Sequence, residues 1–450
     1  MTEQTAEPVR KVSLLEAIGI AVELQEHEQF GNAEELYRRI LALAPESADA
    51  MHYFGVLRHQ QGESDEAIAL MKQSLELEPQ QADWHSNLGI VFQDRSRFDE
   101  AVDAYRRAIA IDPTHANAYN NLGVLLRAQG KPVEAEVTYR RAIELNPNHI
   151  DAYTNLGILL GGLKRTPEAV VCFCKVITLR PKHPEARRLL ALAHSTIGEV
   201  DKAVKIYEEW LEEDPEEPIA RHMLAACTGR DVPSRASDGF VERVFDNFAA
   251  SFDSKLAKLG YRAPELVATM LEEPGAEPCK SLDVLDAGCG TGLCGPLVAP
   301  YARSIVGVDL SAKMLAQAQE RNIYDSLVKS ELTAYLRERP ETYDLIVSAD
   351  TLIYFGPLEE LFAVGARALR PGGRLVFTLE ELTGPACGPD YVLCPHGRYS
   401  HMRAYVERVL SAVGLDSEVA GAELRLEAGA PVAGLVVKAR KAMKPRMRHA

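Results

Sequence analysis

The sequence predicts two domains in series: an all-α solenoid of helical repeats, then an α/β domain built on a mostly parallel sheet. Three observations predict this. A period of 34 residues runs from residue 13 to about residue 230. Beyond it, short apolar runs alternate with helical patterning, and the first two of those runs end in Asp286 and Asp309. Between them lies a glycine-rich turn, Gly288-Cys-Gly-Thr-Gly292. A chain of 450 residues has room for two or three domains.

The repeat begins after a polar stretch, residues 1–12, which reads as a loose N-terminus. Pro45, Pro79, Pro113, Pro147, Pro181 and Pro215 recur at 34-residue intervals, as do Ala33, Ala67, Ala101, Ala135, Ala169 and Ala203. Gly55, Gly89, Gly123 and Gly157 keep the same spacing, and Tyr37, Tyr105, Tyr139, Phe173 and Tyr207 mark a large residue in the second helix of most units. Small residues let two antiparallel helices approach closely, and each proline stops the second helix. A single unit cannot bury its apolar face alone, so the units must stack. The pattern resembles the tetratricopeptide repeat family over six units, with residues 218–229 as a capping helix and residues 13–230 as the whole domain. Asn87, Asn121 and Asn155 fill one slot in three consecutive units, beside Asn120, while the slot holds Tyr53 in unit two and Leu189 in unit six. An amide offers both a donor and an acceptor, so such a ladder suits an extended peptide. It is similar to the asparagine ladder of O-linked N-acetylglucosamine transferase. The alternative is that these amides bond only within the repeats.

Composition excludes several classes. Apolar residues make up 46% and charged residues 26%, as in a globular soluble chain. A net charge of -15 argues against nucleic acid as a partner. The basic tail, residues 441–450, reads as a solvated terminus. Eight cysteines occur with no C-x-x-C pair and no zinc spacing, so neither metal nor disulfide is expected. No signal peptide and no membrane-spanning run is evident, which points to the cytoplasm and away from membranes.

Residues 231–239, Asp-Val-Pro-Ser-Arg-Ala-Ser-Asp-Gly, break the repeat and read as a linker. The second domain then spans residues 240–440. Phe240, Phe245, Phe248 and Phe252 are spaced for one side of a helix, a stripe that suits either core packing or a cover over the site.

The stretch from Leu282 to Asp309 reads as strand, tight loop, helix, strand, with an acid closing each strand. Such a unit holds an adenosine cofactor at the carboxyl edge of a parallel sheet. Gly288, Gly290 and Gly292 permit sharp turns and close approach of the backbone, and Asp309 can accept both ribose hydroxyls. Gly290, Gly292 and Gly295 also fit the dinucleotide pattern G-x-G-x-x-G, and an ordinary βα turn that binds nothing is a third reading. The acid directly before the loop, Asp286, and the spacing Asp-x-Gly-x-Gly-x-Gly resemble motif I of class I S-adenosylmethionine-dependent methyltransferases. Leu369-Arg-Pro-Gly-Gly-Arg-Leu-Val-Phe resembles the same family, as do the segments 245–262, 396–401 and 424–434, which are similar to a bacterial group of methyltransferases carrying tetratricopeptide repeats.

The resemblance implies a Rossmann-like, mostly parallel seven-stranded sheet with an antiparallel last strand, and S-adenosylmethionine as cofactor. It implies cofactor contacts from Asp286, the three loop glycines, Asp309, Leu310, Met314, Ser330, Glu331 and Asp350. The family often has Gly-Asp where this chain has Ser330-Glu331. His401 is the base candidate, with His396 beside it in sequence, and Tyr261, Tyr354 and Tyr399 are candidates to orient an acceptor. Arg262, Arg398 and Arg425 could hold a substrate carboxylate. The leading expectation is methylation of a protein or carrier-bound group recruited by the repeats. The alternatives are a small-molecule O-methyltransferase acting on a carboxyl or hydroxyl group, with repeats used for assembly or self-association, and a scaffold that binds the cofactor without catalysis.

Overall fold

The structure is a computed structural model that describes residues 12–246, 248–249, 252–272, 280–384, 388–427 and 430–443. The expected loose N-terminus and most of the basic tail lie outside these residues. Internal packing divides the chain into two compact units, one ending at Leu189 and one beginning at Leu190.

The first unit is built from helix pairs: α1 (Leu14–Glu26) with α2 (Phe30–Leu43), α3 (Ala48–Gln60) with α4 (Ser64–Leu77), α5 (Ala82–Asp94) with α6 (Phe98–Ile111), α7 (Ala116–Ala128) with α8 (Pro132–Leu145), and α9 (Ile150–Gly162) with α10 (Thr166–Leu179). Each second helix stops two residues before its proline, as the restricted residue ahead of proline requires. The periodic glycines have a steric cause. A Cβ on Gly89, Gly123 or Gly157 would stand 2.7, 2.7 or 2.6 Å from the ring of Tyr105, Tyr139 or Phe173, and at Gly55 it would meet Met71 at 2.8 Å. The large residue of the second helix therefore fills the space that the first helix leaves, and all of these rings are buried.

The sixth pair, α11 (Pro184–Thr196) and α12 (Val200–Glu213), crosses the boundary between the units. In the second unit Tyr207 and Trp210 pack with Met223 of α13 (Pro218–Thr228) and with Phe240 of α14 (Asp238–Asp246). Gly229, with φ of 65°, ends α13. Residues 233–236 do not run free. The Ala236 N–H donates to the Tyr354 carbonyl at 2.8 Å, the Gly356 N–H donates to the Ser234 carbonyl at 2.8 Å, and the Tyr399 hydroxyl donates to the Pro233 carbonyl at 2.5 Å. The stretch expected as a linker is thus strapped along residues 354–356. Two short helices follow, α15 (Phe252–Lys258) and α16 (Ala263–Leu271).

The sheet contains β1 (Leu282–Ala287), β2 (Ala302–Asp309), β3 (Ser326–Lys329), β4 (Tyr343–Ser348) and β5 (Leu369–Glu381), parallel in the order β3-β2-β1-β4-β5. A hairpin, β6 (Tyr391–Leu393) with β7 (Tyr399–His401), borders the last residues of β5. The strand β8 (Leu415–Glu427) pairs with β9 (Ala430–Lys441), which runs antiparallel to β5 from Arg374–Arg440 to Glu380–Gly434. The expected mostly parallel sheet with an antiparallel last strand is present. The β6–β7 hairpin is an addition, in the segment 391–401 whose short runs carry no strand periodicity.

Alternate strand residues face opposite sides. Val284, Leu345 and Val376 pack with α16 and with α17 (Gly295–Val298). Leu285, Ile346 and Phe377 pack on the other side with residues of α19 (Leu332–Arg337), α20 (Glu359–Ala368) and α21 (Arg403–Ala412). Between β2 and β3 runs α18 (Ala312–Glu320). The helix after the glycine loop, α17, is only four residues long, because Pro300 follows it closely.

Gly89→Ala should therefore lower the stability of the first unit by about 1–3 kcal/mol, the usual cost of overpacking. Gly161→Ala, whose Cβ would meet nothing within 4 Å, should gain a few tenths of a kcal/mol or more. Denaturant unfolding of the two variants beside the parent chain checks both signs.

Candidate active site

Three strand ends meet at the carboxyl edge of the sheet. After β1 the chain turns through Gly288, Gly290 and Gly292, all left-handed, with φ of 72°, 54° and 86°. The N–H groups of Gly288 and Cys289 both donate to the Val308 carbonyl, at 2.8 and 3.0 Å, which pins the loop to β2. The Gly290 N–H donates to Asp309 Oδ2 at 3.0 Å, and the Ser311 N–H donates to Asp309 Oδ1 at 2.8 Å. The Asp309 carbonyl accepts from the Ser330 N–H at 3.1 Å, so the end of β3 is tied in as well. With the Leu310 N–H as a third donor, the Asp309 carboxylate still has acceptor capacity for one more.

The glycines differ in what they make room for. A Cβ on Gly288 would fall 2.1 Å from Thr351 Oγ1, and one on Gly292 would fall 2.9 Å from the Tyr324 ring. At Gly290 the nearest atom would be Phe252 Cε1 at 3.9 Å, an ordinary contact. Gly288 and Gly292 are thus required by neighbouring side chains of this chain. Among the described residues, Gly290 alone of the three has no close neighbour in front of it.

Burial pushes the Asp286 carboxyl up to about 7, against a hydrogen bond from the Tyr324 hydroxyl at 2.6 Å and with the Asp309 charge adding to the rise. Burial likewise raises Asp309, although the N–H groups of Ser311 and Gly290 oppose it. Two acids bind the helices over this edge. Asp253 of α15 accepts from the Thr291 hydroxyl at 2.5 Å and pairs with Arg321, whose Nε donates to the Thr291 carbonyl at 2.5 Å. Asp246 of α14 accepts from the Ser311 hydroxyl at 2.5 Å.

Beyond β4, Asp350 adopts a left-handed φ of 53°, unusual for a residue with a Cβ. The Thr378 hydroxyl holds it there, accepting from the Asp350 N–H at 2.8 Å and donating to Oδ1 at 3.0 Å. Its Oδ2 accepts from Arg425 Nη1 at 2.6 Å. Arg425, buried at 6% exposure, also pairs with Glu380 and donates from Nε to Glu427 at 2.8 Å. Arg398 donates to the same Glu380 and Glu427, each at 2.6 Å, and His396 Nε2 lies 3.5 Å from Glu380. Burial would lower Arg425, but Asp350, Glu380 and Glu427 hold it above its usual range, while Asp350 itself is raised by burial. Glu380 and Glu427 were not anticipated as partners here. An acid ending the apolar run Leu375-Val-Phe-Thr-Leu-Glu380 repeats the signal of Asp286 and Asp309 and could have flagged the first of them.

The remaining candidates fall into two groups. Tyr354, half-buried, stacks edge-on against Phe245 at 5.6 Å, and Phe245 stacks likewise against Phe252 at 5.9 Å. Burial raises Tyr354 to about 12 and Tyr261 also well up, with Asp350 and Arg425 among the charges felt by both. Neither phenol hydrogen-bonds another described residue. Leu310 is half-buried directly after Asp309.

The other candidates have different employment. His401 was expected as a base, but it is fully buried beneath the edge, its Nε2 bonds to the Gly356 carbonyl at 2.8 Å, and burial lowers it to about 4. Tyr399 is fully buried with its hydroxyl committed to Pro233. Glu331 caps α19, accepting from the N–H groups of Thr333 and Ala334 at 2.9 and 2.7 Å, and Ser330 Oγ donates to the Glu331 carbonyl at 3.2 Å. Met314 is 1% exposed and packs in α18. Arg398 and Arg425 are matched by carboxylates, whereas Arg262 is exposed. In the first unit, Asn155 Nδ2 donates to Asn120 Oδ1 at 3.0 Å and Asn120 Nδ2 donates to Asn121 Oδ1 at 3.1 Å. Asn87 instead bonds His52 Nε2 at 3.0 Å, and that imidazole stacks on Trp84 at 4.7 Å.

Residues 285–377 match the family described as Methyltransferase domain. Residues 24–88, 116–149, 138–171 and 184–227 match tetratricopeptide repeat families, and residues 91–130 match another described as TPR repeat. The chain is 27% identical over 173 residues to ubiquinone biosynthesis O-methyltransferase of Chelativorans sp. (strain BNC1), covering 35% of this chain and 68% of that protein. It is 36% identical over 140 residues to methyltransferase-like protein 27 of Homo sapiens, covering 30% and 55%. The chain spans from about a third to about two thirds of the length of the curated relatives it matches. A solved structure of pilF from Pseudomonas aeruginosa aligns with a TM-score of 0.43 at 18% identity, over 47% of this chain and 96% of that one. No helix among the described residues is long and apolar enough to cross a membrane.

The glycine geometry separates two outcomes. Gly288→Ala and Gly292→Ala should destabilise the fold, because their side chains have nowhere to go. Gly290→Ala should lose only the cost of a left-handed alanine, about 1–2 kcal/mol, and keep a folded chain. Thermal melts of the three variants test the contrast.

Proposed function

We propose that this chain, an S-adenosylmethionine-dependent methyltransferase domain carried behind tetratricopeptide repeats, methylates a protein or carrier-borne group that the repeats recruit. The observation that carries the donor reading is Gly290. It has no close neighbour among the described residues, and its N–H holds an Asp309 carboxylate that retains acceptor capacity, at the carboxyl edge of a parallel sheet.

Asp309 and the loop would hold the donor, with Leu310 beside them and Asp286 beneath. S-adenosylmethionine supplies a methyl already activated on a sulfonium. The chain's own task is then alignment of the acceptor and exclusion of water. Phe245, Phe252 and Tyr354 form an aromatic wall suited to a cationic centre. The hydroxyls of Tyr261 and Tyr354, which bond no other described residue, would orient the acceptor atom.

The ion pairs bear on the acceptor's class. Of the three cations that could recognise an acceptor carboxylate, Arg398 and Arg425 are each bonded to two or more carboxylates, and only Arg262 is exposed. The knot of Asp350, Glu380, Glu427, Arg398 and Arg425 carries one negative charge in excess when all five are ionised. A carboxylate acceptor would meet that charge unscreened, so a nitrogen or hydroxyl acceptor fits better. The second reading, methylation of a small-molecule hydroxyl, draws on relatives named for O-methylation in ubiquinone biosynthesis. The intact loop and Asp309 weigh against a scaffold without activity. His401 serves no proton transfer in either reading, since its ring is sealed in the core.

Incubation of the chain with methyl-labelled S-adenosylmethionine and a lysate of its source cells, followed by separation of macromolecules from small molecules, tests the proposal. Label should enter the protein fraction and vanish with Asp309→Ala. Combined Asn87→Ala, Asn121→Ala and Asn155→Ala should reduce protein labelling several-fold while leaving donor affinity unchanged. Label confined to small molecules would favour the second reading.

A further inference from the structure

Tyr324 lies outside every motif, in the turn between α18 and β3, yet three glycines converge on its ring. A Cβ on Gly292 would stand 2.9 Å from Cε2, one on Gly295 2.9 Å from the hydroxyl oxygen, and one on Gly307 3.0 Å from Cδ1. These glycines belong to the loop, to α17 and to β2. The hydroxyl donates to Asp286 Oδ2 at 2.6 Å, and this is the only hydrogen bond to the Asp286 side chain among the described residues. Asp286 itself is 1% exposed.

We propose that Tyr324 is a positioning residue for the methyl donor: its ring props the glycine loop from below so that Gly290 stays open, and its hydroxyl fixes the Asp286 carboxylate at the base of that loop. The proposal rests on the reading of the loop as the donor site. The donor carries one more positive charge than its demethylated product, S-adenosylhomocysteine. A carboxylate fixed beneath the loop therefore favours donor over product, and a neutral carboxyl does not.

The groups facing Asp286 are the Tyr324 hydroxyl, the Asp309 carboxylate and the thiols of Cys289 and Cys294. Burial brings the Asp286 titration to about 7, within reach of ordinary buffers. The sign follows directly. Below that range Asp286 is protonated and the preference for donor is lost; above it the preference is present. The Tyr324 hydrogen bond stabilises the charged form, so its removal moves the titration to higher pH.

Calorimetric titration of the full chain with S-adenosylmethionine and with S-adenosylhomocysteine, between pH 6 and 8.5, tests this. In the parent chain the affinity ratio of donor to product should fall as the pH drops through about 7. In Tyr324→Phe the break should move to higher pH, and donor affinity at pH 7.5 should fall about tenfold, the loss expected of a hydrogen bond to a charged group. Asp286→Asn should show no break. A Tyr324→Phe chain with the parent's ratio and pH profile would overturn the proposal. Should that variant fail to fold, a break that persists in Asp286→Asn would overturn it instead. A parent chain that binds neither compound would overturn the donor reading itself, and the proposal with it.

Discussion

The second unit is organised by a guanidinium that has been taken out of water. Burying Arg425 costs several kcal/mol unless every donor finds a partner, and the partners come from different parts of the fold. Asp350 follows β4, Glu380 lies on β5 and Glu427 on β8, while Arg398 approaches from the β6–β7 hairpin. Parallel strands leave their carboxyl ends free to splay, and here that freedom is removed by ion pairs. The strained backbone at Asp350 is held by the same knot, and Tyr354 follows it by one turn. The geometry of this edge of the sheet is therefore set in large part by ion pairs that lie outside the glycine loop.

Much of this was legible in the sequence, for identifiable reasons. The repeats were legible because one steric problem, a ring against a helix, is solved the same way every 34 residues. The glycine loop was legible because acids end two successive apolar runs. The reasons for individual glycines were not. Gly292 reads as a place for a ligand, yet Tyr324 occupies its flank, and nothing in the sequence announces a pairing across 32 residues. His401 reads as a base because imidazole titrates near neutrality. Whether it meets solvent depends on tertiary packing beneath Tyr391 and Tyr405, which periodicity cannot report.

The segment 233–236 teaches a related point. Its polar, proline-containing composition is that of a connector, and it contains no pattern of a strand. Its backbone groups nevertheless find partners at residues 354–356, because a loop emerging from β4 offers carbonyls and amides that need satisfaction. Composition tells where a chain leaves regular structure, and only the neighbours tell whether it is free.

That strap also limits how the molecule can be taken apart. A cut placed at residue 240, where the sequence changes character, would remove the donors and acceptors that hold Tyr354 and Gly356, and would expose Phe240 by stripping away His222 and Met223. The smallest transplantable catalytic module therefore begins within the last repeat. Any shuffling of such domains onto new repeat arrays would carry that repeat along as part of the cargo.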